Sequence, residues 1–199
     1  MEALGRSDER AAYRALDDDD RATAGQRFIA ASAAYNFAQY VMFMDIRRKR
    51  TLHEACVRAY AMAAPLLDPP AVRFEVPVPP RARHAAVYLR VPPGRHPTPV
   101  VVLFNGTNAV KEEMHWWSEA LLERGIATII FDGPGLGETF HRLSMIAEPR
   151  PVGVAIMNQI ETRPELDPAR GRASRHEPRR LHGDPDGGAR SANQARWPR

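Results

Sequence analysis

Apolar residues recur at helical spacing through the first third of the chain and at strand spacing after it, and that change of period divides the molecule. Within residues 21–48, Phe28, Ala31, Tyr35, Ala38 and Met42 fall on one helical face, and Phe37, Val41 and Met44 widen it. A further helix is expected over 52–64, ending at Pro65, with Pro69 and Pro70 closing the segment. Residues 1–68 are therefore expected to be helical throughout. The run Asp17, Asp18, Asp19, Asp20 reads as a solvated turn whose last aspartates cap the next helix. Arg47, Arg48, Lys49 and Arg50 resemble a short nuclear-localisation run. They read better as the carboxyl end of the long helix, where cations complement the dipole.

Beyond Pro70 the period shortens to two. Val72 to Val76 alternates apolar and polar residues, and Ala85 to Val91 is its expected hairpin partner across a Pro-rich turn. Pro99 to Phe104 and Ile126 to Phe131 are continuous apolar runs, as strands buried on both faces require. A helix is expected between them over 111–124, stopped by Gly125. The β-helix-β order implies a parallel pair with a right-handed crossover. Val152, Ala155, Ile156 and Ile160 mark another helix over 151–162, and 163–170 reads as a loop that should feed the next strand. From Gly171 onward the only large apolar residues are Leu181 and Trp197. Too little surface can be buried there to offset the ordering entropy, so no strand and a disordered tail are expected over 171–199.

Composition changes this picture at one place. With 44% hydrophobic and 26% charged residues among 199, the chain is ordinary for a globular protein. Its net charge of +4 lies wholly in the tail, where seven Arg face Glu177, Asp184 and Asp186. No aromatic platform accompanies those charges beyond Trp197, so specific nucleic-acid recognition is not expected. The single cysteine, Cys56, excludes an internal disulfide, fits a reducing cytoplasm, and reads as a small buried hydrophobe. No Cys/His spacing suggests a zinc site, and no metal or cofactor is expected. The first ten residues lack the apolar stretch of a signal peptide. Residues 28–44, the best membrane candidate, are short for a span and carry Asn36 and Gln39, which suit a buried helix. No membrane association is expected.

Candidate chemistry gathers in two loops that follow the two buried strands, where open parallel sheets build their sites. The first is Asn105, Gly106, Thr107, Asn108; the second runs from Asp132 through Gly133, Pro134, Gly135, Leu136, Gly137 and Glu138 to Thr139. A glycine-rich loop after a strand suggests phosphate binding. Yet a dinucleotide fingerprint begun at Gly135 would need its third glycine at Phe140, and the Gly-Lys-Ser/Thr of a Walker loop is absent.

Together, Asn-Gly-Thr-Asn-x-x-Lys-Glu-Glu from Asn105 and Asp-Gly-Pro-Gly-Leu-Gly-Glu-Thr from Asp132 resemble the α/β-hydrolases. The likeness is to the group with a helical segment ahead of the sheet, which includes the dihydroxypseudooxynicotine hydrolase and esterases similar to the fermentation–respiration switch protein. Residues 66–70 and 163–170 also look like that group, so the resemblance covers about residues 10–170. It implies an α/β fold: a cap-type helical segment over 1–68 and the amino-terminal half of a hydrolase sheet over 69–170. It also implies a serine-nucleophile reaction on a small-molecule ester, amide or ketone.

That chemistry needs a serine on a Gly-x-Ser-x-Gly turn, then an acid and a histidine in chain order, and two backbone donors for the oxyanion. The resemblance places one such donor at Thr107 or Asn108. No Gly-x-Ser-x-Gly occurs; Ser7, Ser118, Ser144, Ser174 and Ser191 lack the flanking glycines. None of the histidines (53, 84, 96, 115, 141, 176, 182) stands where the family's base is expected, and His115 beside Trp116 and Trp117 reads as a packing residue. GC-rich codons can be chosen for Arg175 to Asp186 that, read one base later, spell Gly-Met-Ser-Leu-Gly-Gly-Tyr, a complete nucleophile elbow just where the family pattern wants it. A frameshift near Arg170 is therefore expected, with an inactive, truncated chain as its product. The buried strand ending at Phe104 would then be an exposed, aggregation-prone edge. The alternative is a genuine tail on a non-catalytic binding or interaction fragment.

Overall fold

Helices come first, as the longer period requires: α1 (Glu2–Asp17), α2 (Arg21–Tyr40) and α3 (Ile46–Ala63), followed by a 3-10 turn at Ala64–Leu66. The computed structural model describes residues 1–175 apart from Phe43, Pro80, Arg81, Ala82, Arg95, Asn105, Thr107, Asn108 and Ala147, with backbone alone at 171–175. As expected, Asp20 caps α2, its carboxylate accepting the Thr23 N–H at 3.0 Å.

The single helix expected over 21–48 is instead two. Asp45 caps α3 by accepting the Arg48 N–H at 2.9 Å, and that local bond competes with continuing α2. Arg47 to Arg50 therefore stand at the amino end of α3, where the dipole disfavours cations. Acidic partners hold two of them there: Arg48 pairs with Glu2 at 2.8 Å and Arg50 with Glu54 at 2.8 Å. The buried face is also narrower than the spacing suggests. Phe28, Ala31, Tyr35 and Ala38 are buried, whereas Phe37, Val41 and Met44 are exposed around the end of α2.

The expected strands follow: β1 (Val72–Val78), β2 (Arg83–Arg90), β3 (Thr98–Phe104) and β4 (Ala127–Asp132). A 3-10 turn (Lys111–Met114) and α4 (His115–Leu122) lie between β3 and β4, and α5 (Arg150–Glu161) follows β4. β1 and β2 form the antiparallel hairpin, β2 runs antiparallel to β4, and β3 runs parallel to β4.

One further strand corrects the reading of the tail. β5 (Leu166–Arg175) pairs in parallel with β3, with a register irregularity between Pro99 and Val101, and completes the sheet order β1-β2-β4-β3-β5. It starts inside the stretch read as a loop and runs past Gly171. The open side of β3 offers backbone donors and acceptors whatever side chains a partner carries, so a polar segment can pair there. β3 is consequently not the edge of the sheet. Among the described residues the edge on that side is β5. Residues 176–199, the rest of the expected tail, lie outside the described residues.

Period-two alternation sorts the strand side chains into two cores. Val76, Val87, Leu89, Val100, Val102 and Ile129 face α5 and pack on Val152, Ile156 and Ile160. Tyr88, Leu103 and Ile130 face the other way and meet Ala12, Phe28, Ile29, Tyr60 and Met114. A third cluster, including Tyr35, Leu52 and the fully buried Cys56, joins α2 to α3. Among the described residues no helix is long and apolar enough to cross a membrane.

Candidate functional site at the carboxyl ends of the parallel strands

β3 and β4 end side by side, Phe104 opposite Phe131, so the two motif loops leave the sheet as neighbours. The last residue of β4, Asp132, is fully buried and ties them together. Its Oδ1 accepts the backbone N–H of Lys111, beyond β3, at 2.9 Å; its Oδ2 accepts the Glu138 N–H at 3.0 Å. The Lys111 ammonium, also fully buried, donates to Asp132 Oδ2 at 3.1 Å, Glu112 Oε1 at 2.7 Å and Glu138 Oε2 at 2.8 Å. Its three protons thus meet three carboxylates, and the Tyr88 ring lies 5.6 Å away. Arg73 of β1 binds Glu138 from outside.

The electrostatics follow from that packing. Burial alone would push the Lys111 pKa down, but Glu112, Asp132 and Glu138 outweigh it and hold it well above the usual lysine value. Burial likewise opposes ionisation of Glu138, and Lys111 with Arg73 reverses the effect, so its pKa is lowered. Three carboxyls face one ammonium and one guanidinium, which leaves one carboxyl better protonated. Glu112 is that group: burial pushes it up to about 7 against the pull of Lys111, and its Oε2 finds no partner among the described residues.

The glycine-rich loop after β4 is shaped around the Asp132 carboxylate. A Cβ on Gly137 (φ +43) would lie 2.1 Å from Asp132 Cγ, and one on Gly135 (φ +77) would lie 2.1 Å from the Met145 nitrogen. Several of the loop's donors are engaged internally. Gly135 N–H goes to Thr139 Oγ1 at 2.8 Å, Leu136 N–H to the Gly133 carbonyl at 3.0 Å, and Glu138 N–H to Asp132. A phosphate cradle needs free N–H groups turned toward a ligand, and these turn inward.

Thr107 and Asn108, the candidate oxyanion donors, lie outside the described residues. Among their described neighbours, the Ala109 N–H reaches the Gly106 carbonyl at 3.2 Å, and Lys111 is fixed to Asp132. The helical segment reaches the same place through Asn36, which donates to Glu113 at 2.7 Å and is itself held by Gln39 at 2.9 Å. These two polar residues, which argued against a membrane span, connect α2 to the turn after β3. His115 is buried beside the Tyr60 hydroxyl at 3.3 Å and 3.6 Å from Glu119; burial lowers its pKa to about 4, so it is a neutral packing residue.

Sequence reasoning found both loops but gave the buried charges no role. Lys111, Glu112 and Glu138 were visible only as letters of a motif. Their one signal is the Asp that ends an apolar strand, since a carboxylate there must find a cation.

A family model described as Esterase FrsA-like matches residues 10–170. The chain is 38% identical over 123 residues to the 2,6-dihydropseudooxynicotine hydrolase of Paenarthrobacter nicotinovorans, covering 59% of this chain and 31% of that protein. It is 30% identical over 142 residues to the hydrolyase poxO of Penicillium oxalicum, covering 68% of this chain and 33% of the relative. The chain therefore spans about a third of the length of these curated relatives. The solved structure of the 2,6-dihydroxy-pseudo-oxynicotine hydrolase superposes with a TM-score of 0.81 at 29% identity, over 87% of this chain and 48% of that one.

Proposed function

The chain belongs to the FrsA-like esterase family, and we propose that it supplies the cap-type helical segment and the first five strands of a serine-nucleophile α/β-hydrolase. The intact enzyme would cleave an ester, amide or activated carbon–carbon bond in a small molecule. The observation that carries this reading is the paired strand ends. β3 ends between β4 and β5, and Lys111, a few residues beyond it, is bonded to Asp132 at the end of β4. A backbone donor held there, aimed at developing negative charge, is what acyl transfer needs.

On the same reading, these 199 residues do not turn over substrate by themselves, because they contain no Gly-x-Ser-x-Gly and no acid and histidine after one. The frameshift remains part of this reading on the sequence alone. With the codons so chosen, the shifted frame would begin its Gly-Met-Ser-Leu-Gly-Gly across Arg175 and His176, where β5 ends. A nucleophile elbow follows its strand in just that way.

Resequencing the coding DNA from the Arg170 codon onward tests the second part. A shifted frame running into further strands, an acid and a histidine identifies a broken hydrolase gene, and the repaired protein should then react with a serine-directed probe. If the tail is genuine in frame, the catalytic reading falls for this chain and a non-catalytic binding role takes its place. Hydrolysis by the purified chain, together with labelling of one of its serines, would refute the inactivity.

A further inference from the structure

The corner where α2 turns into α3 carries two features that the packing of the fold does not explain. The first is apolar exposure. The Ser32 hydroxyl donates to the Cys56 carbonyl at 2.9 Å, and the Lys49 ammonium to the Gln39 carbonyl at 3.3 Å. The two helices therefore run antiparallel, and Met44 stands at the tip of their hairpin, 98% exposed. Phe37, Val41 and Ile46 around it are each more than half exposed. The first turn of α1 comes to the same end, since Glu2 pairs with Arg48 at 2.8 Å, and Leu4 is exposed there too. Large apolar side chains gathered in this way, and not scattered singly, mark a contact surface.

The second feature is charge. Arg47, Arg48, Lys49 and Arg50 follow the tip at once, against the single acid Asp45 within residues 37–50. They occupy the amino end of α3, where the helix dipole opposes them. Glu2 and Glu54 answer Arg48 and Arg50, but exposed pairs of this kind contribute little. At about 1.5 Å per helical residue, the four cations lie roughly 5 to 9 Å behind Met44 along the hairpin. An apolar tip and a basic collar are thus stacked along one direction.

A tightly packed protein surface does not suit both parts, because burying four adjacent cations is costly without as many partners. The boundary of an anionic bilayer suits them together. Its acyl region takes apolar side chains to a depth of roughly 5 to 10 Å, and its phosphates meet the cations just outside.

We propose that this corner docks the chain peripherally on an anionic lipid surface, with Phe37, Val41, Met44 and Ile46 inserted and residues 47–50 among the headgroups. The expectation of no membrane association rested on the want of a span, and a surface contact needs none. Asn36, beside Phe37, bonds Glu113 in the turn beyond β3, so the docked end is also the end that carries the candidate site. The proposal holds whether or not the chain hydrolyses anything.

Sedimentation of the full chain with vesicles tests it, using phosphatidylcholine alone and phosphatidylcholine mixed equally with phosphatidylglycerol. Strong binding to the mixed vesicles is expected, weak binding to the neutral ones, and loss as salt is raised. The arginines beyond Arg170 could attract the same vesicles, so the deciding variant leaves charge untouched. Met44→Ser with Ile46→Ser, at exposed positions, should keep the urea-unfolding midpoint and weaken binding about tenfold or more, as loss of two inserted apolar side chains implies. Arg47→Gln should weaken it about fivefold. No binding to the mixed vesicles, or equal binding by the folded double variant, overturns the proposal. So does self-association that this variant abolishes without any vesicle binding, which assigns the corner to a second copy of the chain.

Discussion

The two faces of the sheet are built on different terms. Toward α5 the buried cluster is aliphatic: Val76, Val87, Val100, Ile129, Ile156 and Ile160. Toward the helical segment the same strands present Tyr88, Arg90, Thr128 and Asp132, which meet Tyr60, Lys111, His115 and Ser118, all buried. Aliphatic burial stabilises without direction, roughly in proportion to area. Buried polar groups add little net stability when paired and are expensive when not, but they fix geometry. The polar face ends where β3 and β4 end, so specification of geometry is concentrated at the candidate site.

The most severe way to probe that contrast is to remove the cation on which the polar face converges. Lys111→Met leaves Asp132, Glu112 and Glu138 crowded together without their ammonium, and should cost about 4 kcal/mol in urea unfolding at neutral pH. The loss should shrink in acid, where the carboxyls protonate. A cost below about 1 kcal/mol would mean that water enters the cluster and that the buried charges specify little.

On the other face, Ile160→Ala removes a fully buried side chain from the aliphatic core and should cost about 3 kcal/mol. Here the cost should not change between neutral and mildly acid pH, because the cluster around Ile160 is built of apolar side chains. A clear pH dependence would break the comparison, since it would couple the two faces.

Acid alone should act on the polar face. His53 and His115 are both held near 4 by burial, below the usual 6.5. The unfolded chain therefore takes up protons first as pH falls, and stability present above about 6.5 is lost down through about 4. Each histidine accounts for on the order of 2 to 3 kcal/mol. Glu112, raised to about 7 from 4.5, works in the opposite sense: its contribution is present below about 4.5 and lost as pH rises through 7. Two losses against one gain leave a net decline between pH 6.5 and 4. Melting temperatures across that range should fall, and His115→Gln should flatten part of the slope. A flat profile for the unmodified chain would show that these rings are hydrated.

The same contrast explains how much was legible in the sequence. The aliphatic face was readable almost residue by residue, because Pro99 to Phe104 and Ile126 to Phe131 carry their burial in an unbroken apolar run. The polar face was not, because Lys111, Glu112 and Glu138 look solvated until a fold brings them to Asp132. The split between α2 and α3 was hidden for a related reason: Asp45 acts through one backbone hydrogen bond, and Phe37, Val41 and Met44 continued the apolar spacing past it. β5 was missed because its pairing depends on the vacant side of β3 and not on its own composition. The candidate oxyanion segment was located by motif alone, with Thr107 and Asn108 outside the described residues.

The mildest probe asks whether a paired polar contact on the helical face adds stability or only specificity. Ser118 Oγ and Thr128 Oγ1 lie 2.5 Å apart, both buried, between α4 and β4. Ser118→Ala strands the threonine hydroxyl and should cost about 1 to 3 kcal/mol, and Thr128→Val should cost a similar amount by stranding the serine. Replacing both removes the unmet need along with the bond, so the double variant should lie within about 1 kcal/mol of the parent. A double-mutant cycle from urea unfolding measures this directly. If the double variant instead costs the sum of the singles, the hydroxyl pair is a source of stability in its own right, and the division of labour between the two faces is less sharp than their composition implies.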